Sequence, residues 1–297
     1  MSGYSRYIAR VVCLLCIFCL FFAGMNLKQK NTFYDNYVTI LNTSGAYGDD
    51  TVKNVENTEE AMEKKYIMNY TFWGEVQKQQ IGDKDNLRHT DVTVIALWGS
   101  SEQLIPYGKI LQKEDTTGCL IGRKAAEKVF GTRLAEGLYI QYNDQTFQVR
   151  GVVDIQEPVL IVQKQENMTG ILNRITVRKR TGENVQETLQ KFTSAYGVSG
   201  EALRFDFYRS PVWMLEVIPG KWSDFAGWKQ NIQSYQKKWV LLGSAQKGIM
   251  EFLYEKQVRK EVLCFLFAGA GMVVLLWSEG KYYIHRKQHF VGKVYHK

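Results

Sequence analysis

Two uninterrupted apolar runs stand near the ends of the chain, and the residues between them are mixed in polarity. The first run is Val11–Leu27 and the second is Val262–Trp277, and neither contains a charged side chain. At about 1.5 Å per residue, each run forms a helix roughly 25 Å long, close to the hydrocarbon thickness of a bilayer. The pattern predicts membrane helices at residues 11–27 and 262–278.

A cleaved signal peptide is the alternative for the first run, because its apolar core is short and its flank is basic. Bulky side chains occupy the place where a small-residue cleavage site would stand: Phe21, Phe22, Met25 and Leu27. This favours an uncleaved anchor.

The stretch Gly118–Asp154 has the clearest succession of strand-like and helix-like patterns of apolar residues. Cys119–Ile121 is a short apolar strand, and an apolar stripe with helical spacing follows it at Ala125, Ala126, Val129 and Phe130. Gly131 is placed to end this helix, because glycine adopts the left-handed backbone of a C-cap without strain. Two alternating strands then flank the turn formers Asn143 and Asp144. These strands are Leu138–Tyr142 and Thr146–Val153.

Short strands and one further helix are predicted in the rest of the middle region. Asp91–Trp98 is the clearest strand, and Glu183–Tyr196 has helical spacing closed by Gly197. Asn31–Glu60 is polar, with a predicted loop at residues 45–50. The other predicted strands are Tyr66–Val76, Glu157–Val162, Arg174–Arg180, Leu203–Phe207 and Val212–Ile218. The class is therefore α+β.

Large apolar side chains recur every three or four residues after Pro219-Gly220, which predicts helix over about 220–261. They are Trp222, Phe225, Trp228, Ile232, Tyr235 and Trp239. Gly243 and Gly248 are weak points, so the segment is one bent helix or two. A helix that continues into the second apolar run would be a stalk between outer domain and membrane. The alternative is a core helix with a separate anchor.

The formal charge of +8 is concentrated beside the apolar runs. Residues 1–30 carry four basic and no acidic side chains, residues 31–246 carry 25 and 26, and residues 247–297 carry nine and four. A nucleic-acid-binding domain would carry the positive charge itself, so the near-neutral middle argues against that class. The basic residues after Trp277 favour both termini in the cytoplasm and the middle outside.

The sequence contains no constellation typical of catalysis, of a cofactor or of a metal. P-loop, G-x-S-x-G and H-E-x-x-H motifs are absent. His89 stands alone in a polar stretch, and His285 and His289 lack further ligands nearby. Cys119 is the one cysteine outside the apolar runs, so the middle region cannot form a disulfide within itself, and we expect this thiol to be buried.

Two weaker sets of contact residues remain. Gly269 and Gly271 form a small-residue patch in the second apolar run, which allows close helix packing or is ordinary glycine usage. Trp73 and Trp98 are candidates for contact with a partner, because tryptophan is enriched at the energetic centres of interfaces.

The stretch 118–154 also carries a family resemblance. Its glycines, helix stripe and hairpin positions resemble the extracytoplasmic core domain of MacB/FtsX-type ABC transporter permeases. The matching residues are Gly122, Ala125, Ala126, Val129, Phe130, Gly131, Gly137, Ile140, Phe147, Val149, Gly151, Val152 and Val153. They cover about an eighth of the chain.

The resemblance implies a non-catalytic subunit in a bacterial plasma membrane. It implies an extracytoplasmic domain at residues 28–245, with membrane-near parts at about 31–80 and 168–218, a distal part at about 81–165 and a stalk at about 220–261. Residues 1–10 and the basic tail 279–297 would be cytoplasmic. In this family an ATPase drives membrane helices whose movement reaches the outer domain.

The partners so implied are membrane lipid, a separate ABC ATPase or a full-length permease or both, and an extracytoplasmic protein. This chain has two predicted membrane helices where the family's permeases have four, so a shortened or accessory permease is expected. The alternative is an FtsX-like anchored module that recruits an extracytoplasmic or cell-wall protein. A membrane-tethered enzyme is a third hypothesis, and no residue set supports it.

Overall fold

The structure is a computed structural model that describes residues 3–64, 67–85, 87–105, 108–155, 157–165, 168, 170–203, 221, 223–231 and 248–294. The described residues fall into two compact units. The helical unit contains residues 3–32 and 254–294. The sheet unit contains residues 33–203 and 248–253, together with 221 and 223–231.

Two long helices make up the helical unit. Helix α1 is Gly3–Asp35 and helix α5 is Ile249–Val294. Both exceed the apolar runs that predicted them, because polar and charged residues extend each helix at both ends. The last residues of α1 and the first residues of α5 belong to the sheet unit.

The described residues of the sheet unit between Tyr37 and Ala202 form nine strands and three α-helices. In chain order these are β1 Tyr37–Leu41, α2 Asp49–Ala61, β2 Tyr70–Asp83, β3 His89–Trp98, β4 Gly118–Gly122, α3 Arg123–Phe130, β5 Tyr139–Tyr142, β6 Gln145–Val153, β7 Val159–Gln163, β8 Arg174–Arg178, α4 Val185–Tyr196 and β9 Glu201–Ala202. A 3-10 turn lies at Ser101–Gln103, and residues 225–231 are helical. The predicted α+β class is confirmed.

The strands form one mixed sheet in the order β3-β7-β4-β6-β5-β2-β8-β1-β9. Strand β2 also pairs with β3, so the first six strands form a closed ring. β3–β7 and β4–β6 are parallel, and the other pairs are antiparallel. Strand β2 joins the ring to the β8-β1-β9 extension, because its first residues pair with β8 and its last with β5.

Three apolar cores hold this sheet. The first lies inside the ring and under α3, with Phe147 and Ile140 among its buried members. The second lies between the extension and helices α2 and α4, around Phe72 and Phe192. The third packs Trp73 with the ring strands and with Met250 at the start of α5. Burial of these side chains is the main favourable contribution to folding of the unit.

The stretch 118–154 folds as predicted. Helix α3 ends at Gly131, whose φ of 70° is the left-handed C-cap geometry. Asn143 and Asp144 have φ of 52° and 60°, the geometry of a type I′ hairpin turn, which matches the twist of the strands. The Cys119 side chain is fully buried, as expected, and burial raises the pKa of its thiol to about 12.

The loop predicted at residues 45–50 is confirmed at 45–48, whereas Asp49 and Asp50 begin helix α2. The sequence predicts no helix or strand elsewhere in Asn31–Glu60. Strand β1 and helix α2 lie there, and α2 was missed because Val52 and Val55 are its only buried side chains. The predicted strand Tyr66–Val76 lies four or more residues early relative to β2. The predicted strand Val212–Ile218, residues 204–207 and residues 232–247 of the predicted 220–261 helix fall outside the described residues. Residues 225–231 and 249–261 of that segment are helical, as predicted.

Candidate functional site

Helices α1 and α5 are long and apolar enough to cross a membrane, over Tyr7–Asp35 and Ile249–Lys281. Only 11% of the apolar 18-residue stretch of each helix is buried. Large side chains such as Phe18 and Val273 are more than half exposed. A continuous apolar surface of this size is unfavourable in water and stable in lipid. The chain thus has two candidate membrane segments, α1 and α5.

The centre of the α1–α5 contact is close because glycine stands on both sides of it. A Cβ added at Gly271 would lie 2.9 Å from Cγ1 of Ile17, and one added at Gly24 would lie 3.1 Å from the Phe265 ring. The Ile17 or Phe265 side chain would have to shift to accept the added carbon. Gly269, the other glycine singled out from the sequence, has open space around it. The described contacts therefore use Gly271 and leave Gly269 facing outward.

Polar pairs stand at the two ends of the same seam. Nε of Arg10 lies 2.8 Å from a carboxylate oxygen of Glu279, and Nδ2 of Asn31 donates to Oε2 of Glu261 at 2.7 Å. Residues later in α1 contact residues earlier in α5, so the two helices are antiparallel. Arg10 and Asn31 are 21 residues apart, about 31 Å along a helix, which equals the hydrocarbon thickness. The two pairs thus flank the apolar runs of both helices.

The N-terminal residues of α5, which belong to the sheet unit, are held by a buried carboxylate. The side chain of Glu75, on β2, accepts hydrogen bonds from the backbone N–H of Ile249 at 2.7 Å and of Met250 at 3.3 Å. These N–H groups belong to the first turn of the helix and have no partner within it. A carboxylate in this position is also stabilised by the positive end of the helix dipole.

A second carboxylate in the same turn pairs with an arginine on β8. Arg174 donates to Glu251, and the two side chains are 5% and 2% exposed. The Arg174 guanidinium also donates to Oδ1 of Asn173 at 2.7 Å and lies 5.1 Å from the centre of the Trp73 ring. We call Glu75, Arg174 and Glu251 the anchor cluster. It fixes the beginning of α5 by charge and by hydrogen bonds at once.

The electrostatics of the anchor cluster are not balanced. It contains two carboxyl groups and one guanidinium, and Oε2 of Glu251 has no hydrogen-bond partner among the described residues. Burial and the nearby Glu251 carboxylate raise the pKa of Glu75 to about 7, against the lowering effect of the helix N–H groups and Arg174. Glu75 therefore takes up a proton at a higher pH than an ordinary glutamate.

The backbone before α5 must approach the cluster closely. A Cβ at Gly248 would lie 2.3 Å from Oε2 of Glu251 and 2.6 Å from Oε1 of Glu75. Glycine at this position lets both carboxylates meet the helix start. The sequence marked Gly248 as a weak point of a helix, whereas α5 begins immediately after it and runs unbroken through the second apolar run.

The two tryptophans predicted as partner contacts have different surroundings. Trp73 is 1% exposed, and its Nε1 donates to Oγ1 of Thr176 at 2.8 Å. Trp98 is half-buried; its Nε1 donates to Oε1 of Glu56 at 2.6 Å, and Nζ of Lys113 lies 5.5 Å from its ring centre. A partner contact by Trp98 needs no unfolding, whereas one by Trp73 needs its ring to leave the core. Both contacts stay predictions.

The anchor cluster could not be found from the sequence. Glu251 is 77 residues from Arg174, and Glu75 is 174 residues from Ile249. The one available signal was that Arg174 directly precedes the alternating apolar residues Ile175 and Val177 of β8. Among the described residues, no group of three or more His, Cys, Asp and Glu side chains is arranged to hold a metal ion.

Comparison with known proteins returned structures only. No family model and no curated protein matches the chain. The extracellular domain of the noncanonic ABC-type transporter YknZ from Gram-positive bacteria matches at 13% identity and a TM-score of 0.41, covering 56% of this chain and 98% of that chain. The periplasmic region of MacB from Actinobacillus actinomycetemcomitans matches at 14% identity and a TM-score of 0.45, covering 62% and 94%.

Proposed function

We propose that this chain is a non-catalytic membrane subunit of an ABC-type transport system, which passes conformational change between its membrane helices and an extracytoplasmic domain. The sheet unit would be outside the cell and both termini inside. ATP hydrolysis would take place on a separate chain, because this sequence has no P-loop.

One observation carries the proposal: helix α5 joins the anchor cluster and a membrane crossing in a single unbroken element. Its first turn is held by Glu75 and Arg174, and its apolar stretch begins about ten residues later. A helix transmits axial displacement because its backbone hydrogen bonds keep the rise per residue fixed. A shift of the apolar stretch would therefore load the strands that bear the cluster.

The strands that would receive this load are suited to pass it on. Glu75 lies on β2, which belongs both to the closed ring and to the β8-β1-β9 extension, and Arg174 begins β8. Displacement of α5 would act on both parts of the sheet at their shared strand. Packed elements move as units between discrete arrangements rather than deforming continuously.

The test is purification of the native chain from its own membranes in mild detergent, followed by identification of the proteins that accompany it. The proposal expects an ABC ATPase, with or without a full-length permease. A chain that purifies with neither would contradict it.

The FtsX-like alternative is favoured by a different observation. Leu87 and Leu134 are 79% and 87% exposed on loops of the ring. Exposed leucines on loops suit contact with another protein. Recovery of an extracytoplasmic hydrolase that is lost on replacing Leu134 by serine would favour this recruiting role, and so would its loss on replacing Trp98.

A further inference from the structure

Two buried carboxyl groups meet at the start of α5, within the sheet unit. Oε2 of Glu251 and Oε1 of Glu75 both lie within 2.6 Å of the position that a Cβ would occupy at Gly248. The Glu251 side chain is 2% exposed, and its Oε2 has no hydrogen-bond partner among the described residues. A buried carboxylate oxygen without a donor is unfavourable, so the pair is incomplete when both groups are ionised.

The hydrogen bonds of Glu75 indicate which of its oxygens is available for a proton. Oε2 accepts the shorter bond, 2.7 Å from the backbone nitrogen of Ile249, and Oε1 accepts the longer one, 3.3 Å from that of Met250. Oε1 is also the oxygen that lies beside Glu251. A proton on Oε1 would leave the shorter bond intact and would give Oε2 of Glu251 a donor, because a carboxylic acid donates a short, strong hydrogen bond to a carboxylate.

The charged groups around Glu75 favour one bound proton. Among the described residues packed against it, α5 contributes Glu251 and β8 contributes Arg174, whereas β3 places the apolar Ile95 in register with it. The guanidinium of Arg174 donates to Oε1 of Glu251. Burial and the Glu251 carboxylate raise the pKa of Glu75 to about 7. A proton on Glu75 removes the repulsion between the two carboxylates.

We propose that Glu75 and Glu251 form a proton-binding site that controls how firmly the first turn of α5 is held. With the proton bound, Glu75 links the backbone N–H groups of Ile249 and Met250 to the carboxylate of Glu251. Loss of the proton to water leaves two carboxylates in one buried site, and their repulsion weakens the attachment. The start of α5 is therefore held more firmly at acidic than at alkaline pH.

The proton site deepens the proposed transport role, because the start of α5 is where movement would reach the strands. Its importance for transport rests on that proposed function, whereas the site itself consists only of residues of the sheet unit. The two therefore fail separately. Purification without an ABC ATPase or a permease would contradict the transport role alone, and a helix start that does not respond to pH would contradict the proton site alone.

The test is hydrogen–deuterium exchange of the purified full-length chain in detergent at pH 6 and pH 8. Each exchange rate is divided by the intrinsic rate at the same pH, and mass spectrometry with fragmentation resolves the amides of Ile249 and Met250. The variant is Glu75→Gln, which keeps a side-chain oxygen and cannot ionise. The matched control is Glu114→Gln, which neutralises an exposed carboxylate of the same unit.

The folded-state pKa of about 7 and the ordinary value of 4.5 set the expected size of the effect. Protection of the two amides should fall about tenfold from pH 6 to pH 8 in the native chain and in Glu114→Gln, because the ionised form of Glu75 is less stable when buried. In Glu75→Gln it should change by less than about twofold. An equal fall in the native chain and in Glu75→Gln would overturn the proposal.

Infrared spectroscopy detects the proton itself. Ordinary carboxyl groups are almost fully ionised at pH 6, so a carboxylic-acid band at that pH comes from a group with a raised pKa. We expect the native chain to lose such a band between pH 6 and pH 8, and Glu75→Gln to lack it. A native chain without this band at pH 6 would overturn the proposal, whatever the folding of the variant.

Discussion

Replacing Arg174 by methionine tests the anchor cluster most sharply. The substitution keeps much of the side-chain volume and removes the guanidinium that pairs with Glu251. It leaves a carboxylate that is 2% exposed, beside a second carboxyl at Glu75. Breaking a buried pair by removing one partner costs about 3–5 kcal/mol, and the lower end applies here because a carboxyl can take up a proton.

This cost is large enough to measure in a thermal melt. A loss of about 3 kcal/mol in a domain of this size lowers the unfolding midpoint by roughly 6–12 °C. The assay is tryptophan fluorescence of the purified full-length chain in detergent at pH 7.5. Arg133→Met is the matched control, because its pair with Glu127 is 65% and 39% exposed. Exposed pairs contribute less than about 1 kcal/mol, so the control should move by no more than about 4 °C.

A double variant separates the charge from the packing. Arg174→Met/Glu251→Met replaces the pair by apolar side chains and removes the uncompensated carboxylate, so we expect it to recover most of the lost stability. The reasoning is refuted if Arg174→Met and Arg133→Met shift the midpoint equally. It is also refuted if the two substitutions in the double variant are simply additive.

Two other variants probe the proton and the helix seam. The folded-state pKa of Glu75, about 7, is above its ordinary value of 4.5. The contribution of this raised pKa to the free energy of unfolding is complete below pH 4.5 and is lost as the pH rises through 7. Between pH 5 and 8, the native chain should therefore lose about 2–3 kcal/mol of stability relative to Glu75→Gln. The raised pKa of Glu75 is refuted if the stability of the native chain and that of Glu75→Gln change equally with pH. Gly271→Leu should destabilise the helical unit by about 1–3 kcal/mol by overpacking against Ile17, whereas Gly269→Leu should not. Equal melting points in detergent would contradict that packing.

Local pattern was sufficient for the stretch 118–154. Each boundary there is set by neighbouring residues: the stripe of α3 by helical spacing, its end by Gly131, and the hairpin by Asn143 and Asp144. The same held for α4, where Asn184 and Glu187 form a capping box and Gly197 ends the helix with φ of 66°. Such features depend on contacts within a few residues, so they are visible in the sequence.

Local pattern failed where an element is held by few side chains. Helix α2 buries two valines three residues apart and presents acidic side chains elsewhere, so no apolar stripe marked it. The anchor cluster could not be predicted from the sequence for a different reason. Arg174 and Glu251 are separated by 77 positions, and Glu75 and Ile249 by 174 positions. The periodicity of a sequence carries no information about pairs so far apart.

Topology in the cell tests the central claim most directly, since the account requires the sheet unit outside and both ends inside. Five native cysteines lie in the apolar runs or in the core, which leaves engineered surface cysteines as the reactive ones. A membrane-impermeant maleimide should label Glu136→Cys in intact cells and Lys297→Cys only after the membrane is permeabilised. Labelling of Lys297→Cys in intact cells, or protection of Glu136→Cys until lysis, would contradict the account.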